Sequence, residues 1–374
     1  MAKPLISATA LSFAVATSSF AADLPSAKAP PLSPSPPPAL WTGFYAGLNA
    51  GGGWGATNNA PTVSAPLLDA VAFAANNLDP KNQLPGTGLI NGSTALANSG
   101  VANVNQSGFI GGGQIGYNYQ WGQNFVAGLE ADIQGSTIRG SGSYTGASQD
   151  HIAWRDPIGI PPIVVVGGVP LTNAGPCWAG CNLTRSALGF GQVTAGVDWM
   201  GTVRGRLGYL VTPTMLIYGT GGLAFGGVHG SSTHGGVTQA VLTGLNASAF
   251  PVPFNYSQFN GTYTIPNIPG AASYSNTRVG WIAGGGVEWM FMPNWSLKVE
   301  ALYYNLGSAA IYSTPVSLVS PFTINLGGVN VSAGQLLTAN APVTRIKYDG
   351  VIARAGVNYH FNWFAPPAPV LAKY

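Results

Sequence analysis

From Trp41 onward, hydrophobic residues alternate with small or polar residues in a series of short segments. Near the start of this region Phe44, Ala46 and Leu48 share one face, and the residues between them form the other. A repeat of two residues is typical of β-strands, whose successive side chains point to opposite faces. Eight segments follow this pattern and predict strands around residues 44–54, 109–121, 125–134, 193–210, 215–227, 278–289, 295–304 and 346–361.

The connections between these segments alternate between short and long. Three are turns of three residues, at 122–124, 212–214 and 292–294. The others are predicted as loops of roughly 40 to 50 residues, at 56–106, 139–191, 230–275 and 308–345. This alternation is typical of an up-and-down antiparallel barrel in a bacterial outer membrane, and loops of such length usually carry function.

Two all-β folds fit eight amphipathic strands. A soluble sandwich or lipocalin-like barrel has its apolar face inside, whereas a transmembrane barrel has its apolar face on lipid. Only 7% of the residues are charged, against roughly 25% in soluble domains, and the polar faces consist mainly of Gly, Asn and Gln. Aromatic residues cluster at strand ends, where membrane interfaces are expected: Trp54, Trp121, Phe125, Tyr209, Trp289, Trp295, Tyr359 and Phe361. We therefore predict a transmembrane antiparallel up-and-down β-barrel of eight strands.

An alternative number of strands stays open. The last long loop also alternates, at Val316, Leu318, Phe322, Ile324 and Leu326. Either these residues extend strands above the membrane or they contribute to a barrel of ten strands.

The few charges on the polar faces balance in sign. Five acidic and five basic residues are expected in the interior: Glu130, Asp132, Asp198, Glu288 and Glu300, and Arg204, Arg206, Arg278, Lys298 and Arg354. Unpaired charge in a narrow interior costs several kcal/mol, and side chains fill a barrel of about eight strands. The sequence therefore predicts an ion-pair network that plugs the interior.

The regions outside the barrel are predicted from their composition. Residues 1–21 have the charged start, apolar centre and small-residue cleavage site of a signal peptide, and residues 22–40 form a Pro-rich periplasmic linker. The barrel is expected over 41–361 and a C-terminal extension over 362–374. Cys177 and Cys181 are spaced poorly for zinc, so an exported chain favours a disulfide between them over a metal site.

Several strand motifs resemble a known family. They are Trp41-Thr42-Gly43-Phe44-Tyr45-Ala46-Gly47-Leu48-Asn49, the strand at 128–132, the segment 201–209 (GTVRGRLGY) and the closing segment 356–361 (GVNYHF). Together they are similar to the alphaproteobacterial outer-membrane immunogenic proteins, a family of small eight-stranded porin-like barrels. The resemblance implies surface exposure, antigenicity and a part in envelope integrity, and haemin binding is attributed to some relatives.

The chain continues past the aromatic residue at which such barrels usually end. Either Phe361 or the terminal Tyr374 could be read by the barrel-assembly machinery. Val357, Tyr359 and Phe361 keep the strand alternation, which favours them as the assembly signal.

We expect a non-enzymatic protein of the cell outer membrane without a cofactor or metal. Its partners are expected to be membrane lipid and lipopolysaccharide, the assembly machinery, and a host or neighbouring surface protein. The net charge of +3 and the lack of a basic run argue against nucleic acid. Asp150-His151, His229 and His234 are the only catalytic candidates in the loops, and their spacing shows no Ser-His-Asp arrangement. Two alternatives remain: a narrow porin, and a receptor for haem or another apolar ligand that uses His229 or His234.

Overall fold

A computed structural model describes residues 41–67, 89–154, 164–166, 169–171, 179–248, 254–319, 324–326, 329–331 and 336–361. Strands dominate this part of the chain, as the prediction of an all-β fold requires. None of the helices in these ranges is long and apolar enough to cross a membrane.

The described part of the chain contains eighteen strands and two helical segments. The strands are β1 (Gly43–Gly55), β2 (Asn59–Pro66), β3 (Gly100–Asn103), β4 (Ser107–Trp121), β5 (Phe125–Trp154), β6 (Val164–Val166), β7 (Val169–Leu171), β8 (Cys181–Thr212), β9 (Met215–Thr243), β10 (Ala247–Ser248), β11 (Phe254–Asn255), β12 (Gly261–Ile268), β13 (Gly270–Met292), β14 (Trp295–Tyr312), β15 (Val316–Val319), β16 (Ile324–Leu326), β17 (Val329–Val331) and β18 (Leu336–Phe361). Helix α1 spans Leu89–Ala97, and a 3-10 helix spans Tyr256–Phe259.

Eight long strands form a closed antiparallel ring. Its order is β1, β4, β5, β8, β9, β13, β14 and β18, and β18 pairs with β1 to close it. The closing pair runs in register from Phe44 opposite Phe361 to Gly55 opposite Gly350. The predicted antiparallel arrangement of eight paired strands is confirmed.

The additional strands extend the ring upward, away from the short turns, and do not widen it. Strand β9 pairs with β13 as far as His234 and with β12 from Val237 onward. Strand β15 joins β12 to β18, and β2 pairs with the other edge of β18. Thus Val316 and Leu318 belong to an upward extension, and none of the described strands enters the ring as the ten-strand alternative requires.

The strands are much longer than the sequence predicts. Strands β5 and β8 have 30 and 32 residues and remain paired up to Trp154 opposite Cys181. Much of 139–191 and 230–275, predicted as loop, is therefore strand. Gly, Ser and Thr are frequent in these strand extensions, so the hydrophobic alternation fades while the backbone pairing continues. The segment 56–106, also predicted as loop, contains β2, α1 and β3, and the segment 308–345 contains the end of β14 and β15 to β17.

Candidate functional site

The interior of the ring contains a buried layer of charged side chains. Eight of the ten residues expected there meet in this layer, and none of them is more than 6% exposed. They are Glu130 and Asp132 on β5, Arg204 and Arg206 on β8, Glu288 on β13, Lys298 and Glu300 on β14, and Arg354 on β18. The strand pleat turns every second residue inward, and the four acidic and four basic groups cancel in formal charge.

Arg204 lies at the centre of the larger group of ion pairs. Its guanidinium contacts Glu130, lies 2.9 Å from Asp132 and lies 3.3 Å from Glu300. Arg354 binds two of the same carboxylates, Asp132 at 2.8 Å and Glu300 at 2.5 Å. Lys298 joins Glu130 at 3.0 Å and Glu300 at 3.3 Å. Each carboxylate in this group therefore contacts at least two cations.

A second group surrounds Arg206. Its guanidinium lies 2.6 Å from Glu288 and 4.1 Å from the centroid of the Tyr218 ring. The Tyr45 hydroxyl donates to Glu130 at 2.6 Å and accepts from Arg206 at 3.0 Å, so it links the two groups. Glu288 also accepts hydrogen bonds from Ser296 at 2.6 Å and Asn358 at 2.7 Å. These ion pairs and hydrogen bonds offset the cost of removing the charges from water.

Asp198 does not join the interior layer, contrary to the prediction. A bulge between Val197 and Trp199 shifts the register of β8 by one residue. Such an extra residue reverses the faces above it, so Val197 is buried and Asp198 lies outside. There Asp198 binds Arg139 at 3.3 Å and His229 at 3.0 Å.

Arg278 is also absent from the ion-pair layer. It points inward on β13 but lies nearer the far end of the ring. Its guanidinium donates to the Leu306 carbonyl at 3.3 Å, the Tyr274 hydroxyl at 3.2 Å and the Ser308 carbonyl. A bulge in β14 between Asn305 and Ser308 exposes these carbonyls to Arg278.

An apolar layer lies in the interior above the charged layer, and the alternation along the strands does not predict it. Its members include Ile110, Ile138, Met200, Ile282, Leu302, Tyr304 and Ile352, all at most 1% exposed. A signal was present, because neighbouring apolar residues such as Trp281 and Ile282 interrupt the alternation. In such a pair one side chain faces outward and the other packs inside.

Trp41 packs inside the ring at the end with the short turns. This side chain is fully buried, and its indole nitrogen donates to the Pro213 carbonyl at 3.0 Å. Its ring meets His360 edge-on at 5.7 Å between centroids. It packs with Leu210, Leu216 and Met290.

Helix α1 packs against the extended parts of β5 and β8. The Ser148 hydroxyl donates to the Ser93 carbonyl at 2.6 Å, and the Tyr144 hydroxyl donates to the Asn98 carbonyl at 2.5 Å. A Cβ at Gly189 would lie only 2.3 Å from the Ala97 carbonyl oxygen, so a glycine is needed for the close approach. These contacts hold α1 against β5 and β8.

His234 lies beneath α1, fully buried and without a charged partner among the described residues. Its two ring nitrogens are 3.2 Å from the Tyr144 hydroxyl and 3.1 Å from the Thr344 hydroxyl. Burial lowers the pKa of His234 to about 4, because the imidazolium would lose its hydration there. The ring is therefore neutral near pH 7.

The remaining candidate residues do not form a catalytic group. Asp150 pairs with Arg185, whereas His151 hydrogen-bonds Thr184 at 3.0 Å. Cys181 is disulfide-bonded, and Cys177 lies outside the described residues. In the described ranges no three His, Cys, Asp or Glu side chains are grouped to hold a metal ion.

The three residues predicted as an assembly signal lie at the end of β18. Val357, Tyr359 and Phe361 all lie on its outward face. The Tyr359 ring contacts Phe361 at 5.1 Å and Trp295 at 5.2 Å between centroids. The extension 362–374 lies outside the described residues.

Comparisons with known proteins give one clear similarity in sequence. No protein-family model matches the chain. It is 28% identical over 296 residues, 78% of this chain and 82% of the relative, to the 31 kDa outer-membrane immunogenic proteins of Brucella melitensis and Brucella suis. The resemblance predicted from the strand motifs is confirmed, and the chain is an outer-membrane protein like these relatives.

Solved structures give only weak likenesses. The outer-membrane protein OprG of Pseudomonas aeruginosa has a TM-score of 0.26 at 9% identity, covering 86% of this chain and 97% of that protein. The Escherichia coli outer-membrane protease OmpT scores 0.29 at 9% identity, with coverages of 85% and 97%. Neisserial surface protein A scores 0.21 at 10% identity, with coverages of 86% and 98%.

Proposed function

We propose that this chain is a non-enzymatic outer-membrane β-barrel whose closed interior contributes to envelope integrity and whose long strands present a surface outside the cell. The observation that carries this proposal is the inversion of its faces. Outward side chains such as Leu129 and Leu207 are apolar and 67% and 72% exposed, whereas Glu130 and Arg206 beside them are buried. Exposed apolar side chains around a polar interior are unfavourable in water and favourable in lipid.

Aromatic side chains mark the two edges of the apolar belt. Outward aromatics near the short turns include Trp121, Tyr209, Trp289, Trp295 and Tyr359. A second set lies further along the strands, at Trp54, Trp199, Phe225, Trp281 and Tyr303. The separation of about ten residues suits a tilted strand that crosses a bilayer. Beyond the second set the outward residues of β5 are mostly polar, such as Ser141, Thr145 and Gln149, as expected outside the membrane.

The filled interior supports a closed barrel over a narrow porin. A permeating ion would have to break the Arg204 ion pairs and also cross the apolar layer around Ile282 and Leu302. Removing one partner of a buried ion pair costs about 3 to 5 kcal/mol. The apolar layer offers few polar atoms to replace the water that an ion would lose.

Planar-bilayer recording tests this closure. Folded protein, identified by heat-modifiable migration on gels, is expected to give no steady conductance. Arg204→Ala is also expected to show no steady conductance, because the apolar layer still blocks the interior. Ohmic steps from the unaltered protein would refute the closed barrel and favour the narrow porin.

Neither histidine favours the alternative of a receptor for haem. His234 is buried with both ring nitrogens hydrogen-bonded, and His229 lies outside the ring beside Asp198. We expect no spectral shift when haemin is titrated into the folded protein. A saturable shift abolished by His229→Gln or His234→Gln would restore this alternative.

The rest of the proposal concerns how the chain reaches the membrane and what it meets there. We propose that 1–21 is removed as a signal peptide, that 22–40 links the barrel through the periplasm, and that the assembly machinery reads Val357, Tyr359 and Phe361. Lipopolysaccharide and a host or neighbouring protein are the proposed partners of the upper surface. Recovery of the protein as a soluble periplasmic product would overturn this proposal.

A further inference from the structure

Exposed cations lie close to one level on the outside of the ring. Arg139 on β5 and Lys347 on β18 are each fourteen residues from the end of their strand at the short turns. Arg345 lies two residues further along β18. If the membrane is crossed as proposed above, this level lies just outside the upper aromatic residues such as Trp54 and Tyr303. We call Arg139, Arg345 and Lys347 the cation collar.

The collar side chains are free to reach an external group. The Arg139 side chain is 64% exposed and the Lys347 side chain 43% exposed. Arg345 is exposed and has no ion pair with any described residue. The other described cations face the interior, and the apolar belt carries no charge. The collar is thus the positively charged part of the described outer surface.

Two carboxylates position the collar without neutralising it completely. Asp198 contacts one nitrogen of Arg139 at 3.3 Å, which leaves its other N–H groups available. Asp349 is only 2% exposed, binds Lys347 at 2.9 Å and accepts from the Tyr303 hydroxyl at 2.8 Å. Three cations against two acids leave a net positive charge, and both acids hold the cations beside the aromatic edge.

We propose that the cation collar binds the phosphate groups of lipid A, the lipid anchor of lipopolysaccharide, in the outer leaflet. This inference rests on the proposed membrane position. At that level the acyl chains give way to a phosphorylated headgroup, and charge complementarity selects an anionic one. The guanidinium groups of Arg139 and Arg345 can bind phosphate through two parallel N–H groups, and the Lys347 ammonium adds a point charge.

The test measures binding of purified lipopolysaccharide to barrels folded in phosphatidylcholine vesicles. The triple variant Arg139→Gln, Arg345→Gln and Lys347→Gln should fold and insert, and each lost contact should weaken binding about tenfold. Arg278→Gln is the matched control, because it removes a cation at the same level that points inward. Unchanged binding by the triple variant would overturn the proposal.

Two further measurements distinguish a direct phosphate contact from other modes of binding. Lipopolysaccharide with dephosphorylated lipid A should bind the unaltered protein no better than the triple variant binds the intact molecule. Asp198→Asn together with Asp349→Asn should preserve or strengthen binding, since it raises the positive charge. Weaker binding by this double variant would show that the acids hold phosphate through a divalent cation, and would overturn direct contact. Failure of the unaltered protein and of every variant to insert into vesicles would instead refute the membrane position.

Discussion

Protonation of His234 is expected to loosen the outer end of the barrel at acidic pH. The neutral ring lies between the Tyr144 and Thr344 hydroxyls, and the Tyr144 hydroxyl also holds the Asn98 carbonyl at the end of α1. In the unfolded chain a histidine has a pKa near 6.5, but burial lowers the pKa of His234 to about 4. The opened state therefore binds a proton at a higher pH than the closed state does.

The sign and size of the effect follow from these two values. The full stabilisation by neutral His234 is present above pH 6.5 and is lost as the pH falls towards 4. At pH 5 the opening equilibrium should increase about thirtyfold, equivalent to about 2 kcal/mol. At still lower pH the loss approaches about 3 kcal/mol.

Hydrogen exchange of the α1 backbone measures this opening directly. Protection factors should fall steeply between pH 6.5 and 4, after correction for the intrinsic exchange rate. In His234→Gln this additional pH dependence should disappear, whatever the absolute stability of the variant. His151→Gln, which removes an exposed histidine on β5, should retain it. An equal pH dependence in the unaltered protein and His234→Gln would refute the reasoning.

Three other substitutions test the interior and the membrane face. Glu288→Gln removes the carboxylate 2.6 Å from Arg206 and leaves this guanidinium only the more distant Glu130, at 3.5 Å. The free energy of unfolding in urea should fall by about 3 to 5 kcal/mol. Arg206→Met in the same chain should recover much of this loss, and a purely additive result would contradict the pairing. Leu129→Arg should lower the free energy of unfolding in lipid by about 2 to 4 kcal/mol. Thr145→Arg, on the outward face above the apolar belt, should change it by less than about 0.5 kcal/mol. Equal effects of the two substitutions would place both residues in water. Trp41→Ala should lower the free energy of unfolding by about 3 to 5 kcal/mol, measured as the loss of heat-modifiable migration with increasing urea. An unchanged midpoint would show that the packing of Trp41 contributes little to stability.

The sequence predicts the membrane-facing strands well because lipid imposes a regular pattern on them. Leu297 lies outward and Lys298 inward, as their alternation predicts. The prediction that Asp198 faces the interior is wrong because a bulge adds one residue to β8. The sequence pattern of side chains does not indicate such a local backbone shift. The sequence does not predict helix α1, because its nine residues include Asn, Gly, Ser and Thr, which are poor helix formers.

The apolar layer has a consequence for how the outer surface can vary. In the extended strands, inward residues such as Val193 and Ala195 are buried in this layer, while Thr194 between them faces outward. Substitution of an outward residue on a strand leaves the inward packing unchanged and usually alters stability by no more than about 0.5 kcal/mol. The chain can therefore change the face it shows to antibodies at almost every second position while its fold stays the same.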